Sequence, residues 1–108
     1  MSQVAPAQVL SLLSEAKKHY EKEGIQILGV FGSYAKNTYD QFSDIDVAYT
    51  LDYEQFSKVY KDGFSKILRL EEVKKSLENR FHKKVDLVSL NSHNKKFIEH
   101  IKKEMIYV

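Results

Sequence analysis

The order of apolar and polar residues along the chain predicts alternating strands and helices. Two apolar runs, Ile25–Phe31 and Ile45–Leu51, have the length and the β-branched content that are typical of buried strands. A third strand is predicted over residues 84–90, where apolar and polar side chains alternate. Residues 106–108 form a short apolar end that either frays in a lone monomer or contacts an oligomer or a protein partner.

Helical spacing, in which apolar residues recur at steps of three and four, fills most of the remaining sequence. It predicts helices over residues 7–22, 52–62, 64–80 and 97–105, with a short helix near residues 34–36. The pattern leaves open whether residues 54–80 form one helix or two, because Gly63 interrupts it. Strands that alternate with helices predict an α/β fold, in which helices pack on a small mixed β-sheet.

The composition is that of a small globular protein, and it narrows the range of functions. With 108 residues we expect a single domain over residues 1–108. The absence of cysteine excludes disulfides and thiolate metal sites, and the four histidines lack the spacing of a zinc site on a helix. No signal peptide and no run of transmembrane length are visible, so we expect a cytoplasmic protein without membrane contact.

The net charge of +2 hides an uneven distribution of charged side chains. Residues 1–73 carry 8 basic and 11 acidic side chains, whereas residues 74–103 carry 9 basic and 3 acidic ones. Such asymmetry is compatible with a nucleic-acid partner, or with solvated helix faces that balance the charge of a bound nucleotide. The second interpretation is favoured, because the basic segment lacks the interleaved aromatic residues that single-strand binders use.

Two carboxylates, Asp44 and Asp46, stand at the start of the second predicted strand, and Ile45 separates them. Because side chains alternate along a strand, both carboxylates point to one face, while Ile45 and Val47 point into the core. Like charges so close together repel each other, and a cation between them relieves the repulsion. Mg²⁺ prefers such oxygen ligands and completes its shell with water and substrate phosphates. The alternative is that both side chains simply face solvent.

A Gly-Ser turn follows the first predicted strand. Gly32 lacks a Cβ, so a ligand can approach its backbone closely, and Ser33 is a good N-cap for the short helix that follows. Free backbone amides at a helix start attract phosphate. The turn is therefore a candidate phosphate site, and the alternative is an ordinary strand-to-helix turn.

A third carboxylate, Asp86, lies inside the otherwise apolar strand predicted over residues 84–90. Burying an aspartate there is costly unless the side chain has a partner. If this strand lies beside the second one, Asp86 joins the other two carboxylates. The alternative is an edge-strand aspartate that pairs with Lys83 or Lys84.

Three short motifs together carry a family resemblance: Gly32-Ser33 in the turn, Asp44-Ile45-Asp46 at the second strand and Val85-Asp86-Leu87-Val88 in the third. Over nearly its whole length the chain resembles the minimal nucleotidyltransferases of the polymerase-beta-like superfamily. It departs from the family pattern at two positions, since arginine is usual where Lys36 stands and glycine where Asn37 stands. Lys36 keeps the positive charge but lacks the guanidinium fork that grips phosphate.

The resemblance implies a polymerase-beta-like nucleotidyltransferase fold and a Mg²⁺-dependent reaction. In that reaction a nucleoside monophosphate, AMP from ATP, is transferred to a hydroxyl group. The resemblance assigns Asp44 and Asp46 to metal binding, and Asp86 to a second metal or to the role of general base, as in two-metal catalysis.

The nucleotide contacts and the partner are also assigned by the resemblance. Gly32 and Ser33 would hold the terminal phosphates, with Lys36 as a helper. Similar small proteins act as antitoxins that attach AMP to a tyrosine of a HEPN-domain ribonuclease toxin. Such a toxin is therefore the expected protein partner, and an oligomer with it is compatible with the sequence.

Two other functions stay open at this point. The same fold could neutralise a toxin by contact alone, as a non-catalytic binding module, and the departures at Lys36 and Asn37 favour that interpretation. The retention of all three aspartates favours an enzyme instead. Addition of nucleotides to an RNA end is compatible with the basic final third of the chain. Relatives with that activity carry RNA-binding domains that this sequence lacks, so we expect no direct nucleic-acid binding.

Overall fold

A computed structural model of the chain describes residues 6–91 and 94–108. In chain order its elements are α1 (Pro6–Tyr20), β1 (Ile25–Phe31), α2 (Ser33–Lys36), β2 (Ile45–Leu51), α3 (Tyr53–Val59), α4 (Gly63–Phe81), β3 (Val85–Ser89), α5 (Lys95–Glu104) and β4 (Ile106–Tyr107). A short 3-10 turn over Glu21–Glu23 follows α1. Within the part of the chain that is described, no helix is both long and apolar enough to cross a membrane.

Within these described residues, four strands form one sheet in the order β3-β2-β1-β4. Strand β1 pairs antiparallel with β2 and with β4, whereas β2 and β3 are parallel. A parallel pair needs a crossover connection, which α3 and α4 supply. The prediction of an α/β fold with a small mixed sheet is confirmed.

The segment between β2 and β3 forms two helices, which answers the question that the sequence left open. The Asp52 side chain caps α3 by accepting a hydrogen bond from the backbone N–H of Gln55. The Asp62 side chain caps α4 in the same way, through the backbone N–H of Ser65. Tyr60, after the end of α3, has an extended backbone, so one continuous helix cannot form.

The C-terminal residues form a fourth strand at the edge of the sheet. Tyr107 is the Cα partner of Gly29, and a Cβ at Gly29 would overlap the Ile106 backbone carbonyl. Glycine thus permits the close approach of β4. The Val108 N–H then donates to the Leu28 carbonyl at 2.9 Å. Residues 106–108 therefore extend the sheet at the edge of β1.

The two faces of the sheet are covered to different extents. On one face α1, α3 and α4 pack over a large apolar cluster that includes Leu13, Ile27, Val47, Phe56, Leu77, Phe81 and Val85. On the other face α5 covers a smaller cluster of Ala48, Leu90, Ile101 and Met105. Strand alternation puts Asp46 on the same face as Ala48. The predicted site therefore lies on the less covered face, beside α5.

Candidate active site

The three aspartates predicted as metal ligands come from two adjacent strands. Asp46 and Asp86 are Cα partners in the parallel ladder between β2 and β3. Partners in one register project their side chains from the same face of a sheet. Asp44 lies just ahead of β2, and its negative charge acts on Asp46. Lys83, an alternative partner for Asp86, instead donates to two backbone carbonyls of the loop before β2.

Asp46 is the most enclosed of the three carboxylates. It is half-buried, whereas Asp44 and Asp86 are exposed. The pKa of Asp46 is raised to about 6, mainly by burial and further by the negative charges of Asp86, Asp44 and Glu104. Four acidic side chains thus act on one region of the surface, which favours the binding of a cation there.

The chemistry of these donors fits Mg²⁺. Across the described residues, no group of three or more His, Asp or Glu side chains is arranged to hold a metal ion by itself. Mg²⁺ does not require such a group, because it usually takes one or two carboxylates and completes its shell with water and phosphate oxygens. Hard oxygen donors and the negative charges that surround Asp46 both favour a divalent cation there.

Gly32 forms a corner between β1 and α2, next to the carboxylates. Its φ of 72° and ψ of −147° lie in a region that is almost exclusive to glycine. A Cβ at this position would also overlap Oδ2 of Asp46. The predicted phosphate-binding backbone and the predicted metal ligand therefore lie in direct proximity.

The N-cap of α2 is Gly32, so the prediction that Ser33 takes this position is wrong. The positive φ of Gly32 starts the helix one residue earlier, and Ser33 is its first residue. The Ser33 hydroxyl makes no hydrogen bond with the part of the chain that the structure describes. It is therefore available to a ligand.

Glu104, which no sequence motif marks, contacts both ends of the corner. Its Oε1 accepts a hydrogen bond from the Gly32 N–H at 3.1 Å, and its Oε2 lies 3.1 Å from Nζ of Lys36. Burial raises the pKa of Glu104, but the hydrogen bonds from Lys36 and Gly32 outweigh burial and leave the pKa below its ordinary value. No local pattern signals this contact, because 72 positions separate Glu104 from Gly32.

Asn37 ends α2 in the left-handed conformation, with φ of 60°. Asparagine tolerates this conformation better than most residues that carry a Cβ. The replacement of the family's usual glycine therefore preserves the backbone of the turn. This departure does not indicate a decayed site.

The loop before β2 is held by hydrogen bonds within it and by contacts with α2 and Lys83. Tyr39 stacks on the buried Tyr34, with ring centroids 4.5 Å apart. Asp40 Oδ1 accepts a hydrogen bond from the Phe42 N–H at 2.8 Å, and the Phe42 side chain is 82% exposed. Tyr39 thus pins the loop to the protein, while Phe42 is presented to solvent two residues before Asp44.

A comparison with protein families agrees with this geometry. Residues 14–108 match the family model described as polymerase beta, nucleotidyltransferase. This chain belongs to the polymerase beta nucleotidyltransferase family. Membership confirms the expected enzyme class, a nucleotidyltransferase, and the match includes all six residues that the sequence nominated for the site.

Two relatives of this nucleotidyltransferase carry more specific names. A Methanocaldococcus jannaschii protein, provisionally named a protein adenylyltransferase, is 32% identical over 104 residues, which is 94% of this chain and 96% of the relative. The protein adenylyltransferase MntA of Thermococcus cleftensis is 29% identical over 109 residues, and the alignment covers 100% of both chains.

Two solved structures share the fold of the nucleotidyltransferase. One, provisionally described as a minimal nucleotidyltransferase, has a TM-score of 0.75 and 19% identity, and each chain is covered in full. The other is described as a toxin-antitoxin crystal structure with AMP-PNP. It has a TM-score of 0.62 and 21% identity, over 96% of this chain and 72% of that chain. The predicted resemblance to minimal nucleotidyltransferases is confirmed.

Proposed function

We propose that this nucleotidyltransferase moves AMP from ATP to a hydroxyl group of a partner protein. The observation that carries the proposal is the shared face of Asp46 and Asp86 beside the Gly32 corner. Relatives that are named protein adenylyltransferases support a protein as the acceptor. In this proposal residues 1–108 act as one catalytic domain in the cytoplasm, which a cysteine-free sequence fits.

The carboxylates and the corner have separate roles in the proposed reaction. Bound Mg²⁺ would neutralise the triphosphate and stabilise the attacking and departing oxygens. Asp44 and Asp46 would hold this metal, and Asp86 would contribute to a second metal position. On the other side of the site, the Gly32–Ser33 turn would hold the terminal phosphates, and Lys36 would add positive charge there.

The transfer step requires a proton acceptor near the attacking hydroxyl. The acceptor oxygen attacks the α-phosphorus in line, so that a new P–O bond forms while the bond to pyrophosphate breaks. Pyrophosphate leaves, and the hydroxyl proton passes to a carboxylate. Asp86 is the proposed general base where it does not serve as a ligand of the second metal, because it is exposed and lies beside Asp46 in the strand register.

The proposed acceptor is a tyrosine hydroxyl of a HEPN-domain ribonuclease toxin, which would make this protein an antitoxin. The relative named MntA and the structural neighbour described as a toxin-antitoxin with AMP-PNP support this choice.

Label transfer from ATP tests the proposal. The protein is incubated with labelled ATP, Mg²⁺ and the product of the adjacent gene, and we expect label on that partner. An Asp44→Asn, Asp46→Asn double variant should transfer none. The matched control is Asp62→Asn, because Asp62 is exposed and asparagine serves equally well as an N-cap. Undiminished labelling by the double variant would contradict the proposal.

A second candidate function is neutralisation of the partner by contact alone. The Lys36 ammonium favours it, because this ammonium already pairs with Glu104 and is partly neutralised before any phosphate binds. An Asp44→Asn, Asp46→Asn, Asp86→Asn variant separates the two functions. If that variant neutralises the partner as fully as the wild type does, contact explains the biology and catalysis does not.

A further inference from the structure

One side chain joins the last helix to the Gly32 corner. Glu104, the final residue of α5, accepts a hydrogen bond from the Gly32 N–H and pairs with the Lys36 ammonium, each at 3.1 Å. His100, one turn earlier on α5, lies 3.7 Å from the same carboxylate. We propose that Glu104 is a positioning residue that fixes the phosphate-binding corner in its binding shape before the nucleotide arrives. This inference rests on the proposed nucleotidyl transfer.

The corner needs such an anchor because its own backbone structure is weak. Helix α2 has four residues, which is too few for a helix that is stable without outside contacts. Strand β4 pairs with Gly29 and Val30, so the ladder along this edge of β1 ends before Gly32. The Gly32 N–H lies beyond the residues that pair with β4, and the Glu104 carboxylate accepts its hydrogen bond instead.

The carboxylate of Glu104 reaches both ends of the corner at once. Gly32 precedes α2 and Lys36 is its last residue, and each binds a different carboxylate oxygen. The two contacts therefore fix the whole turn, including Ser33 between them. A charge-assisted hydrogen bond of this kind is stronger than a neutral one. The Ser33 hydroxyl is held in place while it keeps its own bonding capacity.

The burial of these side chains favours support of the corner over competition with the nucleotide. The Glu104 side chain is 15% exposed, whereas the Lys36 side chain is 55% exposed. Lys36 can therefore turn toward a phosphate while the carboxylate stays on the backbone amide. Because the Gly32 N–H is already used, Ser33 and Lys36 would supply the contacts to phosphate, and Gly32 would supply the shape of the turn.

Amide hydrogen exchange of the free protein tests the anchor without any nucleotide. Glu104→Ala removes both contacts and should raise the exchange rate of the Gly32 amide by about tenfold or more. Glu104→Gln keeps an acceptor for that amide and should retain most of the protection. Glu99→Gln is the matched control, since Glu99 is exposed on the same helix. Unchanged protection in Glu104→Ala would overturn the inference.

The affinity for AMP-PNP with Mg²⁺, measured by calorimetry, tests the consequence for binding. We expect Glu104→Ala to bind about tenfold more weakly, because a preorganised site loses affinity when its geometry loosens. Glu104→Gln should lose less, and Glu99→Gln should bind like the wild type.

The outcomes distinguish this inference from the function on which it rests. Equal or tighter binding by the Glu104 variants would overturn the positioning role and leave the proposed function standing. If the wild type itself does not bind AMP-PNP with Mg²⁺, the proposed function fails and the inference falls with it. Should Glu104→Ala not fold, Glu104→Gln gives the binding readout with side-chain volume preserved.

Discussion

Asp46 and Asp86 are Cα partners across the parallel strands β2 and β3, and their carboxylates project from one face of the sheet. The neighbouring Ile45 and Val85 are buried on the opposite face. A slip of one residue in this register would turn a carboxylate into the core. The crossover through α3 and α4, which makes these strands parallel, therefore assembles the site from two distant parts of the chain.

Replacing Asp46 by asparagine should stabilise the protein at neutral pH while it removes metal-dependent activity. The pKa of Asp46 is raised to about 6, mainly by burial, so its charge is costly in the folded state at pH 7. Because the side chain keeps some contact with solvent, we expect a gain on the order of 1 kcal/mol in the free energy of unfolding. Urea denaturation of both proteins measures it, and a clearly less stable Asp46→Asn variant would contradict the account.

The raised pKa of Asp46 also determines how the stability difference between Asp46→Asn and the wild type changes with pH. A carboxyl group whose folded-state pKa is raised contributes stability at low pH, and this contribution is lost as the pH rises through about 6. The advantage of Asp46→Asn should therefore disappear under acidic conditions, where Asp46 is neutral. Unfolding midpoints recorded above pH 6 and below pH 3.8, the ordinary pKa of an aspartate, check this, and a difference that does not change with pH would count against it.

The stabilisation of the wild-type protein by Mg²⁺ and AMP-PNP should increase as the pH rises through the pKa of Asp46. The ionised form of Asp46 binds metal, so the rise in melting temperature on adding both should be full above a pH of about 6 and should fall below it. Thermal unfolding with and without the ligands measures this rise. Asp46→Asn is the control, because without that carboxylate the step near this pH should be absent.

Gly32→Ala should destabilise the protein and abolish nucleotide binding. The backbone conformation of Gly32 costs a residue with a Cβ about 1–3 kcal/mol, and the new methyl group would overlap Asp46. Gly63→Ala is a matched control, because a Cβ at Gly63 on helix α4 meets no atom within 4 Å. We expect Gly63→Ala to be neutral or slightly stabilising. Denaturation and AMP-PNP titration of both variants check the contrast.

Arg69 stabilises the fold on the face of the sheet opposite the site. Its Nε and Nη2 donate to both carboxylate oxygens of Glu23 at 2.8 and 2.7 Å. Arg69→Met should lower the free energy of unfolding by about 1–3 kcal/mol without weakening AMP-PNP binding. The hydrogen bond from Arg69 is the main cause of the lowered pKa of Glu23, so this contribution is present above pH 4.5 and is lost as the pH falls.

The control for Arg69 is an arginine in an exposed ion pair. Arg80 pairs with Glu15 at 3.1 Å, and both side chains are well exposed. Arg80→Met should therefore cost less than about 1 kcal/mol. If Arg69→Met and Arg80→Met lower the free energy of unfolding equally, the partial burial of the Arg69–Glu23 pair adds nothing to its stabilising effect.

The strands that carry the aspartates were predictable because their signals are local. The apolar runs Ile25–Phe31 and Ile45–Leu51 coincide with the observed strands, since glycine and aspartate residues end them. The alternation that separates Asp46 from the core is equally local. The positions of Asp44 and Asp86 follow from the sequence once the strands are placed side by side.

The remaining features depend on contacts between distant parts of the chain. Strand β4 has two residues, too few for a periodic signal, and exists because Gly29 lets it approach β1. Gly32 is the N-cap because its φ is positive, and residue propensities do not predict the φ of an individual glycine. Glu104 has an ordinary helical pattern around it, and its carboxylate contacts a corner 72 positions away in the sequence. Helical spacing over residues 64–80 also did not indicate that Phe64 would be 76% exposed.

The central claim is that this chain transfers AMP to a hydroxyl group of a partner protein by means of its paired strand carboxylates. The most direct measurement is the intact mass of the purified partner after incubation with ATP, Mg²⁺ and this protein. The account predicts a mass increase of one or more adenylyl groups with the wild type and none with the Asp44→Asn, Asp46→Asn variant. An unchanged partner mass, together with full neutralisation of that partner by the wild type, would contradict it.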